Sequence, residues 1–188
     1  MTRPHVSLVV AHDVNGLIGC NGGIPWYAPY DLKRFKHLTF GEAVVYGFNT
    51  FKSLNYRPLP GRLNIVLTSA LNIASDDTTR IARSLDEAVE IARSLGKKWL
   101  HVCGGSRLYS EALDRDLVDV AFVTQIYDPV YCRDDAAYFK EFQCFSDTEK
   151  WESRFSEYVS KSDTEIPLSF HTYLRVKAMQ ELPSLRVA

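Results

Sequence analysis

Long apolar runs are missing from this 188-residue chain, and nothing in it approaches the length of a membrane span. The apolar run within MTRPHVSLVVAHD is too short for a signal peptide and is broken by His12 and Asp13, so the expectation is a cytoplasmic protein without a leader. An excess of one charge is missing too. The 22 basic and 23 acidic residues give a formal net charge of −1. That balance supplies no broad field for nucleic acid or an anionic membrane, so any anionic ligand must be held by a few placed groups. Internal repeats, low-complexity stretches and a Pro/Gly/Ser-rich linker are all absent, which argues for one domain over 1–188, with 178–188 a loose tail. The four cysteines (Cys20, Cys103, Cys132 and Cys144) show no C-x-x-C pair and no His at ligand spacing. Reduced thiols are therefore expected, rather than disulfides or a metal site.

What is present is an α/β pattern. With 46% of its residues hydrophobic, the chain has the means for a sizeable core. VSLVVA (6–11), AVVYG, NIVLTS (64–69), KWLHVCG and LVDVAFVTQI read as strands, and their near-continuous apolarity suits a mainly parallel sheet covered on both faces. LSFHTYLRV alternates instead, as a half-buried strand does, and fits an antiparallel pairing with WESRFSEYVSK at the sheet edge. Between strands, SLDEAVEIARSLG opens with Ser84 and Glu87 in a capping box and has Gly96 to end it. A second helix is expected over 29–39, with Pro29 in its first turn and Leu32, Phe35 and Leu38 along one side. Shorter helices are expected over 106–113 and 50–54.

Two places repeat one design. A buried strand ends at Gly47 before a helix starting near Thr50, and another ends at Gly104-Gly105 before a helix starting near Ser106. Each is either a tight turn or a phosphate site made of outward N–H groups at a helix start, and two at one sheet edge can grip a diphosphate. Neither is G-x-G-x-x-G, so the usual dinucleotide fingerprint is absent. Arg62, behind a Pro/Gly-rich turn, is either a solvated turn charge or an anion clamp; Arg83 and Arg107 are weaker candidates of the same kind. Trp26 and Phe35 have the character of core residues. Asp31 stands among Ile24, Pro25, Trp26, Leu32 and Phe35. Either it complements the helix dipole, or it is a partly desolvated carboxylate that recognises a protonated or amidine-like heterocycle.

From Val6 to about Val176 the chain resembles dihydrofolate reductase. The pieces that match are the stretch from IG to IPW and DLKRFKHLT, then VVYG-NTFKSL, RPLPGRLNIVLTS, VCGGSRLY, VTQI and WESRFSEY, in the family's order. The resemblance implies a central eight-stranded, mainly parallel sheet with an antiparallel edge strand, flanked by helices. It also implies NADPH-dependent reduction of 7,8-dihydrofolate to tetrahydrofolate; a monomer is expected, and charge, hydropathy and cysteine spacing lead to no expected nucleic-acid, membrane or metal partner. Asp31 takes the position of the family's acidic active-site residue, Thr124 that of its threonine partner, and Trp26 that of a residue positioning water. Leu32, Phe35, Leu54 and Leu59 correspond to walls around the benzoyl portion, Val10 and Ile24 to further substrate contacts, and Arg62 to the clamp on the glutamyl α-carboxylate. Ala11 and Ile18 correspond to backbone contacts with the nicotinamide carboxamide, and Gly19 to Trp26 to a mobile loop that excludes water. Gly47, Asn49, Thr50, Cys103, Gly104, Gly105, Ser106, Arg107, Leu108 and Tyr109 fall on the cofactor side, with a cis peptide expected between the two glycines. Thr68, Ser69 and Arg83 fall near the adenosine phosphate.

The chain departs from the family at Phe48, where a cation is usual, at Asn49, often basic or His, at Phe51 in place of Trp, and at an extra Tyr56. The missing cation bears on NADPH affinity and on preference over NADH. Two other readings remain in view. A pyrimidine reductase of the riboflavin pathway shares the fold but has no use for Asp31. A folate- or nucleotide-binding structural component without turnover is favoured by Phe48 alone. Within 188 residues a fused thymidylate synthase is not expected.

Overall fold

The computed structural model describes residues 2–69, 76–160, 166–179 and 182. Among these, the elements in chain order are β1 (His5–Asp13), β2 (Leu17–Gly19), α1 (Pro29–Thr39), β3 (Ala43–Gly47), α2 (Phe48–Ser53), β4 (Leu63–Leu67) and β5 (Thr79–Ala82). There follow α3 (Leu85–Ser94), β6 (Trp99–Val102), α4 (Ser106–Asp114), β7 (Val120–Ile126), β8 (Ala137–Tyr138), β9 (Trp151–Val159) and β10 (Leu168–Arg175).

The main sheet has eight strands in the order β5-β4-β3-β6-β1-β7-β10-β9. Neighbours from β5 to β7 pair in parallel, while β10 runs antiparallel to both β7 and β9. This is the mainly parallel sheet with an antiparallel edge that the apolar strands imply. The alternating strand, β10, lies one place in from that edge, and the largely exposed β9 is outermost. β2 and β8 form a separate two-stranded ladder.

Strand alternation sorts the core onto two faces. Val6, Leu8, Val10, Val45, Ile65 and Leu100 pack with Leu85, Ala88 and Ala92 of α3 and Leu108 and Ala112 of α4. On the opposite face Val44, Tyr46 and Val66 pack with Phe51 of α2, and Val9, Phe122 and Leu174 with Leu38 of α1. Full burial of each large apolar side chain contributes roughly 1.5–3 kcal/mol, and the crossover helices bring those faces together without a long loop.

Local signals act as read. The Ser84 hydroxyl accepts from the Glu87 N–H at 3.2 Å, and the Glu87 carboxylate accepts from the Arg83 N–H at 2.7 Å. Gly96 follows α3 with φ +68°, a conformation that suits glycine. The Gly104-Gly105 peptide is cis.

Three expectations need correction. The helix after Gly47 begins at Phe48, not near Thr50, because the glycine itself occupies the cap position. Within the stretch read as a loose tail, Ala178 is buried beside Leu174, and Met179 and Leu182 pack on the same cluster; residues 180, 181 and 183–188 lie outside the described residues. The cysteines are not all reduced thiols. Cys20 and Cys132 form a disulfide across a sequence separation of 112, leaving Cys103 and Cys144 free. No spacing rule marks this pair, because its members sit on two loops that only the finished sheet brings together.

Candidate functional site

The parallel strands put their C-terminal ends on one edge, the place where open α/β sheets bind ligands. Ala11 on β1 lies in register with Thr124 on β7, and α1 packs across this face. α1 has no side-chain cap at Ala28, and Asp31, in its first turn, does not act as one. Its partly buried carboxylate is turned instead toward Thr124. Burial raises the Asp31 pKa, and the Thr124 side chain and the Arg34 charge draw it back down. The dipole reading of Asp31 therefore does not account for its burial.

Arg34, one turn further along α1, was not singled out in the sequence. Its guanidinium lies 4.6 Å from the Phe170 ring centroid and 5.9 Å from that of Phe122. It donates to Thr172 Oγ1 at 3.2 Å and to the His171 carbonyl at 3.4 Å. Burial lowers its pKa to about 10, against the pull of Asp31 and Glu157. Arg34 thus fixes α1 to β10 and sets a positive charge beside Asp31. An i, i+3 relation between Asp and Arg carries this information, but it reads equally as a surface pair.

Arg62 is buried at the other end of α1. It donates through Nε to Thr39 Oγ1 at 2.7 Å and through Nη1 to the Pro60 carbonyl at 2.8 Å, with its guanidinium 5.6 Å from the Phe35 ring. Thr39 in turn donates to the Phe35 carbonyl at 2.7 Å. Asn64 orders the preceding loop: its amide donates to the Leu59 and Arg62 carbonyls, and its oxygen accepts from the Leu59 N–H and the Tyr46 hydroxyl. A guanidinium held by Nε and one Nη1 bond keeps further donors for a carboxylate. Beneath it, His101 is held neutral, its pKa lowered to about 4 by burial and then by Arg62. Thr39 and Asn64 carried no sequence signal beyond polarity in an apolar run.

The apolar candidates divide. Phe35 on α1 is partly buried beside Arg62, Leu54 and Leu59 pack against Val44, Tyr46, Phe51 and Val66, and Trp26 packs beside Ala28, Ile126 and Phe170. Ile24 and Leu32 are exposed, at 61% and 47%. Val10 is not on this face. Its side chain is buried in the α3–α4 cluster, because alternation turns Val9 toward α1. Leu108 is displaced for the same kind of reason, its side chain lying in that cluster and its N–H donating to the Gly105 carbonyl. Neither side chain can line the site.

The two glycine turns stand together. Gly47 donates its N–H to the Gly104 carbonyl at 2.8 Å, joining the starts of α2 and α4, and neither helix has a side-chain cap. Gly104 has φ +120°, and a Cβ there would stand 3.3 Å from Thr50 Oγ1, so the close approach requires glycine. The Tyr109 hydroxyl donates to the Val9 carbonyl at 2.8 Å, placing it between this cradle and β1. Ser106 is partly buried and Arg107 exposed at the start of α4. Cys103 directs its thiol to the His101 carbonyl, and burial pushes that thiol up, away from reactivity. Further along the edge, Thr68 and Ser69 follow β4 and the exposed Arg83 follows β5. Ile18 and Gly19 end β2. Phe48 and Tyr56 face one another with ring centroids 6.1 Å apart beside the exposed Asn49.

Comparison with known proteins agrees with this arrangement. The family model described as "Dihydrofolate reductase" matches residues 5–175. A dihydrofolate reductase of Mycobacterium leprae is 41% identical over 110 residues, 57% of this chain and 65% of that protein. One of Bacillus subtilis is 33% identical over 158 residues, 84% of this chain and 86% of that one. A solved dihydrofolate reductase from Enterococcus faecalis, complexed with NADP(H) and RAB-propyl, superposes with a TM-score of 0.77 at 28% identity, covering 92% of this chain and 96% of that one. The chain spans 26% to 37% of the bifunctional dihydrofolate reductase-thymidylate synthases it also matches.

Proposed function

The chain belongs to the dihydrofolate reductase family, and we propose that it reduces 7,8-dihydrofolate to tetrahydrofolate with NADPH. The observation that carries this reading is the partly buried Asp31, its pKa raised, set opposite Thr124 in a fold that also brings two glycine turns and helix starts together. A carboxylate so placed needs donors from a ligand, and the N3 and 2-amino groups of a pterin supply them.

In this reading NADPH, when bound, supplies the hydride that is delivered to C6. Gly47, Thr50, Gly104, Gly105 and Ser106 fit its diphosphate, since two uncapped helix starts meet there through the Gly47–Gly104 bond. Ala11 and Ile18 border the nicotinamide end, and Thr68, Ser69 and Arg83 the adenosine phosphate. Asp31 holds the pterin and, with water ordered by Trp26, favours a proton at N5. Thr124 orients the Asp31 carboxylate. Phe35, Leu54 and Leu59 enclose the benzoyl group, Ile24 and Leu32 cover its open side, and Arg62 grips the glutamyl carboxylate. We extend the proposal to a single-domain monomer acting in the cytoplasm; among the described residues no helix is long and apolar enough to cross a membrane. A pyrimidine reductase on this fold leaves the buried Asp31 without a task.

The test is NADPH oxidation with dihydrofolate. Asp31→Asn should lower turnover at neutral pH by roughly a hundredfold or more, the range of general acid catalysis. The loss should shrink as the pH falls, because solution acid then protonates N5. Full neutral-pH activity in the variant would refute the role given to Asp31.

A further inference from the structure

We propose that the Cys20–Cys132 disulfide is a thiol–disulfide exchange site for dithiol reductants, and that its reduction releases the segment leading into α1 and loosens the hold on the nicotinamide cofactor. The inference concerns regulation of the reductase site and rests on that reading for its last step alone.

The bond joins two poorly anchored segments. Cys20 directly follows β2, and its backbone closes a turn on Gly23, with N–H to carbonyl distances of 2.9 and 3.1 Å. Asn21, Gly22, Gly23 and Ile24 are exposed, and a Cβ built on Gly22 or Gly23 would meet nothing within 4 Å. Beyond them the chain enters Trp26 and then α1 with Asp31. Cys132 lies in the segment between β7, which carries Thr124, and β8. Its neighbours Tyr131, Arg133, Asp134 and Asp135 are exposed, Tyr131 to 84%.

Other links between the two segments are confined to their base. Among the described residues they include the short β2–β8 ladder, the Phe139 N–H on the Gly16 carbonyl at 2.8 Å, and the buried Asp13 carboxylate, which accepts from the Leu17 N–H at 2.8 Å and the Val130 N–H at 3.4 Å. Past Gly19, the disulfide is the covalent fastening that holds the 20–24 turn against the sheet-edge loop. Cutting it leaves a glycine-rich turn with little packing of its own, and such segments open at small free-energy cost.

Chemistry confines exchange to this pair. Both sulfurs belong to partly exposed residues among exposed neighbours, so an attacking thiolate has access. Cys103 and Cys144 are poor competitors: burial raises both thiols, Cys144 to about 12. The step balances as ordinary exchange. A thiolate of the dithiol attacks one protein sulfur, forming a mixed disulfide and expelling the other as a thiolate, which takes up a proton. The second thiol of the reductant then displaces the protein sulfur. Two electrons and two protons pass from the dithiol to Cys20 and Cys132, and the reductant leaves as its disulfide. An exposed disulfide of this kind is characteristically labile and open to exchange rather than a permanent staple.

The experiment uses the intact protein, oxidised or treated with dithiothreitol under native conditions. Alkylation with mass analysis follows the two cysteines, amide hydrogen exchange follows residues 20–26 and 127–136, and stopped flow follows NADPH release. We expect native reduction of this pair alone, exchange in both segments faster by fivefold or more, and NADPH release at least threefold faster. Cys20→Ser and Cys132→Ser should each reproduce the reduced state and abolish the response to dithiothreitol. Resistance of the pair to reduction without denaturant would overturn the proposal, as would unchanged exchange in the two segments or unchanged NADPH release. If reduction frees the segments and speeds NADPH release while neither form oxidises NADPH with dihydrofolate, the exchange site stands and the reductase reading falls.

Discussion

Asp31→Asn offers a test that needs no substrate, because it removes one buried charge while keeping the shape of the side chain. In the free protein burial is the strongest influence on Asp31 and raises its pKa, opposed by the Thr124 side chain and the Arg34 charge. A carboxyl whose folded pKa lies above its unfolded value, about 3.9 for Asp, binds more protons folded than unfolded between those two limits. Its contribution to stability is complete below the unfolded pKa and is lost as pH rises through the folded one. At neutral pH the wild-type protein therefore carries the cost of a poorly solvated carboxylate, which asparagine removes. An unsatisfied buried polar group costs about 1–3 kcal/mol, and Thr124 and Arg34 already offset part of that. We expect the variant to be more stable at pH 7 by about 1–2 kcal/mol. For a chain of this size 1 kcal/mol corresponds to roughly 2–4 °C, so Tm should rise by about 2–8 °C. The gain should diminish from pH 7 toward pH 4, as the wild-type folded state takes up its proton. Thermal and urea unfolding at three pH values across that range measure it. A variant no more stable at pH 7, or a gain that does not change with pH, would refute the argument.

Three further outcomes follow from the geometry. Arg62→Leu should weaken dihydrofolate binding by roughly tenfold to a hundredfold, the worth of a charged hydrogen-bonded contact at about 1.5–3 kcal/mol, while a substrate lacking the glutamate binds variant and parent alike; equal losses on both would make Arg62 a brace for Thr39 and Pro60 instead. Arg83→Ala should raise the KM for NADPH strongly and leave that for NADH almost untouched, because Phe48, in ring contact with Tyr56, offers no cation and the proposed hold on the 2′-phosphate then falls more on Arg83; equal effects on both cofactors would sink the assignment. Arg34→Met should move the Asp31 titration, followed by carboxyl-labelled NMR, to higher pH, and Arg34→Lys should restore most of it; an unmoved titration would mean that Arg34 only packs against Phe170.

The sheet and its helices were legible because their signals are local. Five apolar runs, a capping box and two strand–glycine–helix turns each state their structure within a dozen residues, and β3 and α1 begin and end where the pattern says. Features made by distant pairs were not legible. Nothing near Cys20 points to Cys132, and nothing near Arg34 says that Thr172 and Phe170 will surround it. The side chains of Val10 and Leu108 lie off the site for a third reason. A ligand site built from backbone and side chain together does not reveal which side of a strand or helix is meant, and alternation sent both side chains into the α3–α4 core. Thr39 and Asn64 are polar residues whose use is to hold Arg62 and its loop, a purpose invisible until the loop is folded.

These pairings explain how one helix can carry a costly charge and still be fixed in place. α1 is tied to β10 through Arg34 and to the turn before β4 through Thr39 and Arg62, so its two ends are held by bonds that do not involve Asp31. The carboxylate can therefore remain short of partners without the helix shifting to find them, which is the condition for a ligand to gain from meeting it. The approach to α1 is built the other way, from exposed glycines whose principal fastening is the Cys20–Cys132 bond. Rigidity is invested around Asp31, where the proposed reaction needs the proton and the pterin positioned. Freedom is left in the exposed 20–24 turn, and the disulfide stands on the boundary between the two.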